Sequence, residues 1–310
     1  MHTASLQSRK AFLQIHLCVV LWGFTAILGK LITLPALPLV WWRMLLVVAA
    51  LALVPRVWRG LRAMPARLIW SYAGIGVLVA LHWLTFYGAI KLANASVAAT
   101  CIALASVFTA LLEPWLAATP IARSRRLKRV PDAMRIGIVV GALSALLVGI
   151  FGTLNKRLVE HGDPLTVTAL ELGAGTLALT ALAPVMPWLF PAFAGDLLAV
   201  PGNSDIAWLL LLSIGCTLFP FALSLVALRH MSAFAAQLAV NLEPVYAIVL
   251  AILLLAEQHE LTPRFYAGVA IVLLAVVAYP LLERKRTGAA AAPVEHPELL
   301  GTAEAKQIVD

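Results

Sequence analysis

Glu243 stands directly before Pro244 in the apolar stretch "AVNLEPVYAIVLAILLLAE", with Asn241 two residues earlier and Gln237 one helical turn before that. Proline leaves a main-chain carbonyl without its helical donor, and a broken helix inside an apolar run is where buried polar groups can meet a small solute. Gln237, Asn241 and Glu243 are therefore read as solute-binding candidates, Glu243 foremost; a helix cap or a hydrogen bond between the two halves of the chain is the rival reading. A second set is His82 and Trp83 with Tyr87 one turn on, a titratable ring beside two aromatic faces. His82 could contact solute or take a proton, or be an internally satisfied histidine. Trp22, beside Gly23, could line a cavity or simply pack. Arg43 and Glu171 occupy roughly equivalent places in the two halves and are read as a structural ion pair, with snorkelling and direct solute contact as alternatives. Each such group costs roughly 2.5–3.5 kcal/mol on insertion scales if it faces hydrocarbon, so each needs a reason.

Nothing else in the chain suggests a reaction centre. There is no Gly-rich Gly-Lys-Ser loop, no His-Glu-x-x-His helix and no Gly-x-Ser-x-Gly elbow. The expectation is a protein that is not an enzyme and takes no cofactor or metal. Cys18, Cys101 and Cys216 all lie within apolar runs and read as small buried residues rather than a disulfide framework.

The elements that must hold these residues are apolar almost throughout. The chain is 310 residues, 62% hydrophobic and 12% charged, against about 25% charged in soluble domains; its mean hydropathy is +0.94. Continuous apolar runs indicate an all-α integral membrane protein and argue against a β-barrel. Nine spans of roughly 20 residues are expected, at 11–31, 37–55, 68–91, 94–118, 136–158, 164–189, 206–228, 232–256 and 263–283. The first is kept as a span rather than a cleaved leader. The formal charge of +8 sits in short loops, the pattern of membrane orientation, and no nucleic-acid motif accompanies it. Membrane lipids are the expected surroundings, and the patch at 123–129 could hold anionic headgroups.

Loop charges orient the spans. Arg9 and Lys10 place the N-terminus in the cytoplasm, "RVWRGLRAMPAR" at 56–67 reads as a cytoplasmic loop, and so does the patch Arg123, Arg125, Arg126, Lys128 and Arg129. In the second half, 155–163, 229–232 and the C-terminus also read as cytoplasmic. The two halves conflict where they join, because only one span, 136–158, lies between two segments that both belong inside.

An internal repeat locates the same gap. "GFTAILGKLITLPALPL" (23–39) is echoed by "GIFGTLNKRLVEHGDPL" (149–165), and "YGAIKLANASVAA" (87–99) by "LVALRHMSAFAA" (225–236). The second copy closes with "LEPVYAIVLAILLLAEQHELTPRFYAGVAIVLLAVVAYP"; the first lacks that closing span. Two repeats with an odd number of spans must be inverted in the bilayer. At "LWGFTAILGK", "SVFTALLEP", "LNKRLVEHGDPLTVTALELGAG" and "SAFAAQLAVNLEPVYAIVLAILLLAEQ" the chain resembles the EamA-like transporters of the drug/metabolite transporter superfamily, over about residues 12–283. The resemblance implies ten helices in two inverted five-helix repeats, with about nine present here and the fifth missing. It divides the chain into a first repeat at 11–118, a basic cytoplasmic connection at 119–135, a second repeat at 136–283 and a disordered cytoplasmic tail at 284–310. The implied function is secondary transport, with export the expected direction, of small organic metabolites such as amino acids by alternating access in the cell (inner) membrane; a homodimer is possible. The alternatives are an inactive or assembly-only truncated form and, more remotely, an integral membrane transferase. Gly173 and Gly175 are expected to permit close helix packing.

Overall fold

The computed structural model describes residues 2–102, 132–231, 236, 239–256, 267, 270 and 274. The basic patch, Gln237, the closing span and the tail fall outside these residues or almost wholly so. Every regular element among the described residues is helical. The first half holds α1 (His2–Leu31), α2 (Ala36–Ala52), α3 (Pro55–Ala63), α4 (Ala66–Leu92) and α5 (Ala95–Ile102). The second holds α6 (Asp132–Leu158), α7 (Pro164–Leu182), the short α8 (Met186–Leu189), α9 (Asn203–Leu210), a π-helical stretch (Leu211–Leu218), α10 (Phe219–Arg229) and α11 (Glu243–Leu255).

Helix boundaries follow local chemistry. Asp163 caps α7 by accepting the Thr166 N–H at 3.3 Å, and Pro164 occupies the first helical position, where its missing N–H costs nothing. Asn94 accepts the Val97 N–H at 2.9 Å where α5 begins. Pro220, at the second residue of α10, cannot donate to the preceding turn, and the π-helical widening of Leu211–Leu218 ends there.

Five helical segments among the described residues are long and apolar enough to cross a membrane: Arg9–Leu31, Ala66–Leu92, Ile136–His161, Pro164–Leu182 and Asn203–Arg229. Three expected spans are corrected. The span at 37–55 stops at Ala52, and the following segment, read as a loop at 56–67, instead contains α3, bent 91° from α2. Pro55 starts a new helix there, which buries Val57 and leaves Arg56 and Arg59 exposed. The span at 164–189 stops at Leu182, because Pro184 and Pro187 interrupt it. The span at 232–256 is broken by a turn at Asn241 and Leu242, after which α11 runs for 13 residues. The spans at 94–118 and 263–283 lie largely outside the described residues.

The two halves of the chain interleave. α1 lies against α10 and α11, α4 against α6 and α7, and α2 against α7 and the π-helical stretch. One apolar core runs through both halves, and a smaller one joins Ala11, Ile15, Cys18 and Val19 of α1 to Ala227, Ala236 and Ala239. Outward faces are apolar too, with Leu13, Leu177 and Leu253 exposed, as a lipid-facing surface requires. α4 and α7 cross closely. A Cβ on Gly76 would collide with the backbone carbonyl of Glu171, and one on Gly175 with Met44 and the Gly76 carbonyl. Gly175 thus serves close packing, whereas Gly173 has no neighbour near its Cβ position.

Candidate solute-binding cavity

A cavity of about 140 Å³ lies between the halves. Its wall combines aromatic residues with two opposite charges, Arg43 from α2 and Glu243 from the N-terminus of α11.

Arg43 is buried with 2% of its surface exposed, and two of its donors are committed. Nε donates to Thr217 Oγ1 at 2.6 Å and Nη1 to Tyr87 Oη at 2.8 Å. The guanidinium carbon sits 3.8 Å from the centroid of the Trp83 ring. Hydrogen bonds to a charged group contribute about 1.5–3 kcal/mol each, and a desolvated cation over an indole adds about 2 kcal/mol. Together these offset the cost of burial without an anion. The π-helical stretch contributes directly: Thr217 Oγ1 donates to Leu212 O at 2.6 Å, five residues back, and the same oxygen accepts from Arg43 Nε. Tyr87 is anchored more weakly, its hydroxyl 3.5 Å from Thr25 O.

The ion pair expected between Arg43 and Glu171 is not formed. Arg56–Asp163 is the one ion pair among the described residues. Arg43 points toward Trp83 and Tyr87, while Glu171 meets Asn155 on α6. The acidic residue on the same cavity as Arg43 is Glu243. The two share one cavity with no contact within ion-pair distance. At the start of α11 the Glu243 carboxylate also lies at the positive end of a helix dipole.

Of the other candidates, Trp22, His82 and Trp83 line the cavity. Tyr87 stands behind the wall and holds Arg43. His82 is tied at one nitrogen: Nδ1 lies 3.0 Å from the Ser144 carbonyl and 2.8 Å from its hydroxyl, and the ring packs near Phe86 and Phe151. Asn241 is buried in the turn before α11 but is not part of the wall, and its Oδ1 has no partner. Gln237 lies outside the described residues. Several wall residues escaped the sequence reading, among them Thr25, Asn155, Ser224 and Phe221. Asn155 was masked by Lys156 and Arg157, which made its segment look like a loop; a Thr three residues before Pro220 was the available hint for Thr217.

The family model for the EamA-like transporter family matches the chain twice, over residues 9–125 and 135–279. The chain belongs to the EamA-like transporter family. It is thus a small-molecule transporter of the drug/metabolite transporter superfamily, a family of transporters rather than enzymes, and its apolar helices make it a multi-pass membrane protein. The two matched stretches correspond to the two halves that interleave around the cavity. A solved crystal structure of a protein 16% identical in sequence covers 90% of this EamA-like chain and 99% of its own, with a TM-score of 0.59. That likeness bears on the fold alone. No curated protein matches the chain.

Proposed function

We propose that this EamA-like protein is a secondary transporter that exports small zwitterionic metabolites, amino acids foremost, by alternating access across the cell membrane. The observation that carries the reading is the placement of Arg43 and Glu243 on one aromatic-walled cavity. An amino acid would set its carboxylate toward Arg43 and its ammonium toward Glu243. Its side chain would lie against Trp22, Trp83 and Phe221. The guanidinium suits a carboxylate because its planar fork presents paired donors, and a dry aromatic wall strengthens both charge contacts.

In the same proposal the N-terminus is cytoplasmic, residues 11–118 and 136–283 form oppositely oriented repeats, and Trp22, His82, Trp83 and Glu243 face the solute. The test is counterflow in proteoliposomes loaded with labelled amino acids, set against the corresponding amine and carboxylic acid. The zwitterion should exchange fastest, and Glu243→Gln should weaken the zwitterion and the amine more than the acid. Equal exchange of all three, or none with the zwitterion while a neutral metabolite moves, would overturn the substrate reading.

A further inference from the structure

Glu171 is fully buried at the crossing of α7 on α4, and its hydrogen bonding is incomplete. Oε2 accepts from Asn155 Nδ2 at 3.4 Å, a long bond, and Oε1 has no partner. Asn155 is buried as well, with its own Oδ1 unpartnered. Two buried acceptor groups thus face a shortage of donors, an arrangement that native structures rarely leave in place.

Among the described residues no cation supplies the deficit. α7 packs on α4, α2, α3 and α10, and Asn155 comes from α6. From α2, Arg43 is turned to Thr217 and Tyr87. From α3, Arg56 pairs with Asp163. From α6, Lys156 donates to Leu228 O. From α10, Arg229 donates to Val159 O and Gly162 O. From α4, the Tyr72 hydroxyl is turned away and donates to Leu158 O at 2.7 Å. A metal ion would need several more oxygens than this pair offers. A proton needs only one. On the carboxyl it removes the charge and creates a donor, and the Asn155 amide, turned about its terminal bond, offers an oxygen to receive it.

Asn155 also lines the solute cavity, so a change at Glu171 reaches the solute through one amide. We propose that Glu171 and Asn155 form a proton-binding site set one residue behind the cavity wall, and that this proton is coupled to solute movement. Proton binding stands independently; the coupling rests on the transport reading above.

Infrared difference spectroscopy across a pH titration, on the full chain in lipid, tests the site without any solute. A carboxylic-acid carbonyl band should be present in the wild type and lost in Glu171→Gln. Asn155→Leu should shift both its frequency and its titration midpoint, while Glu243→Gln leaves it in place. A wild type lacking the band, or a band that survives Glu171→Gln, overturns the site. In proteoliposomes a pH gradient should drive accumulation of labelled amino acids. The ratio of gradient-driven accumulation to counterflow should fall roughly tenfold in Glu171→Gln, a usual size for coupling between sites. Gradient-driven accumulation that persists in this variant, or that follows a sodium gradient instead, overturns the coupling. A wild type that moves no amino acid defeats the transport reading, and the infrared titration alone then decides the proton site.

Discussion

At the scale of the residue, the arginine in the membrane is held by dipoles and a π face rather than by a carboxylate. Nε to Thr217, Nη1 to Tyr87 and the Trp83 ring are all neutral partners, which leaves the net charge of Arg43 free to be answered by a solute. Tyr87→Phe removes one charge-assisted hydrogen bond and is expected to destabilise the protein by about 1.5–3 kcal/mol, read as a fall in melting temperature in detergent. Arg43→Lys keeps the charge but loses the fork geometry. It should raise the half-saturation concentration for amino-acid counterflow while leaving the amine less affected. A lysine variant with wild-type kinetics would mean that Arg43 acts only as scaffold. The interior polar residues were legible in the sequence as residues that needed a reason. Their pairing was not: Arg43 and Glu171 matched by position in the repeat, yet helix rotation aims one at the cavity and the other at Asn155.

At the scale of the element, α4 and α7 set how closely the two halves approach. The crossing exists because Gly76 and Gly175 expose backbone to backbone. Gly76→Ala should therefore cost about 1–3 kcal/mol through overpacking, whereas Gly173→Ala, with open space around it, should be neutral or slightly stabilising through helix propensity. Thermal unfolding of the two variants side by side checks this, and equal melting temperatures would contradict the crossing. Period and proline placement made the long helices readable in the sequence. The α3 helix was hidden because four arginines in twelve residues look like a connecting loop, yet Val57 and Leu61 give it an apolar side. The break before α11 was signalled by Pro244, which bars a continuous ladder of hydrogen bonds there.

At the scale of the whole molecule, two sets of polar ties close the bundle at opposite ends of α2, which at 17 residues is roughly 25 Å long. At one end Asp205 accepts the Thr33 N–H at 2.9 Å and its hydroxyl at 2.6 Å. At the other, Arg229 donates to Gly162 O at 2.6 Å and Arg56 pairs with Asp163. Under the proposed alternating access these ties release in turn. In a cysteine-free background carrying Ser224→Cys as a cavity probe, Asp205→Ala should speed labelling by an impermeant thiol reagent from the Thr33 side, and Arg229→Ala from the other. Unchanged labelling in both would exclude the ties as gates. The orientation of the repeats is a separate question, and reporter fusions decide it. Fusions within 123–129 and 155–163 should report the cytoplasm if the charges of both halves are obeyed; opposite sides would show that the single intervening span overrules one of them.

The sequence by itself determined the class of the molecule, because the free energy of placing apolar runs in lipid and of placing arginines outside it depends on composition and order, not on contacts. It also determined the twofold repeat, since matching segments recur at matching offsets. Which polar groups meet was decided only by the tertiary structure. A span's interior face depends on its rotation and on how near its neighbours come, and glycine crossings, a π-helical turn and a proline break fix both. They put Arg43 and Glu243 on one cavity and Glu171 behind it.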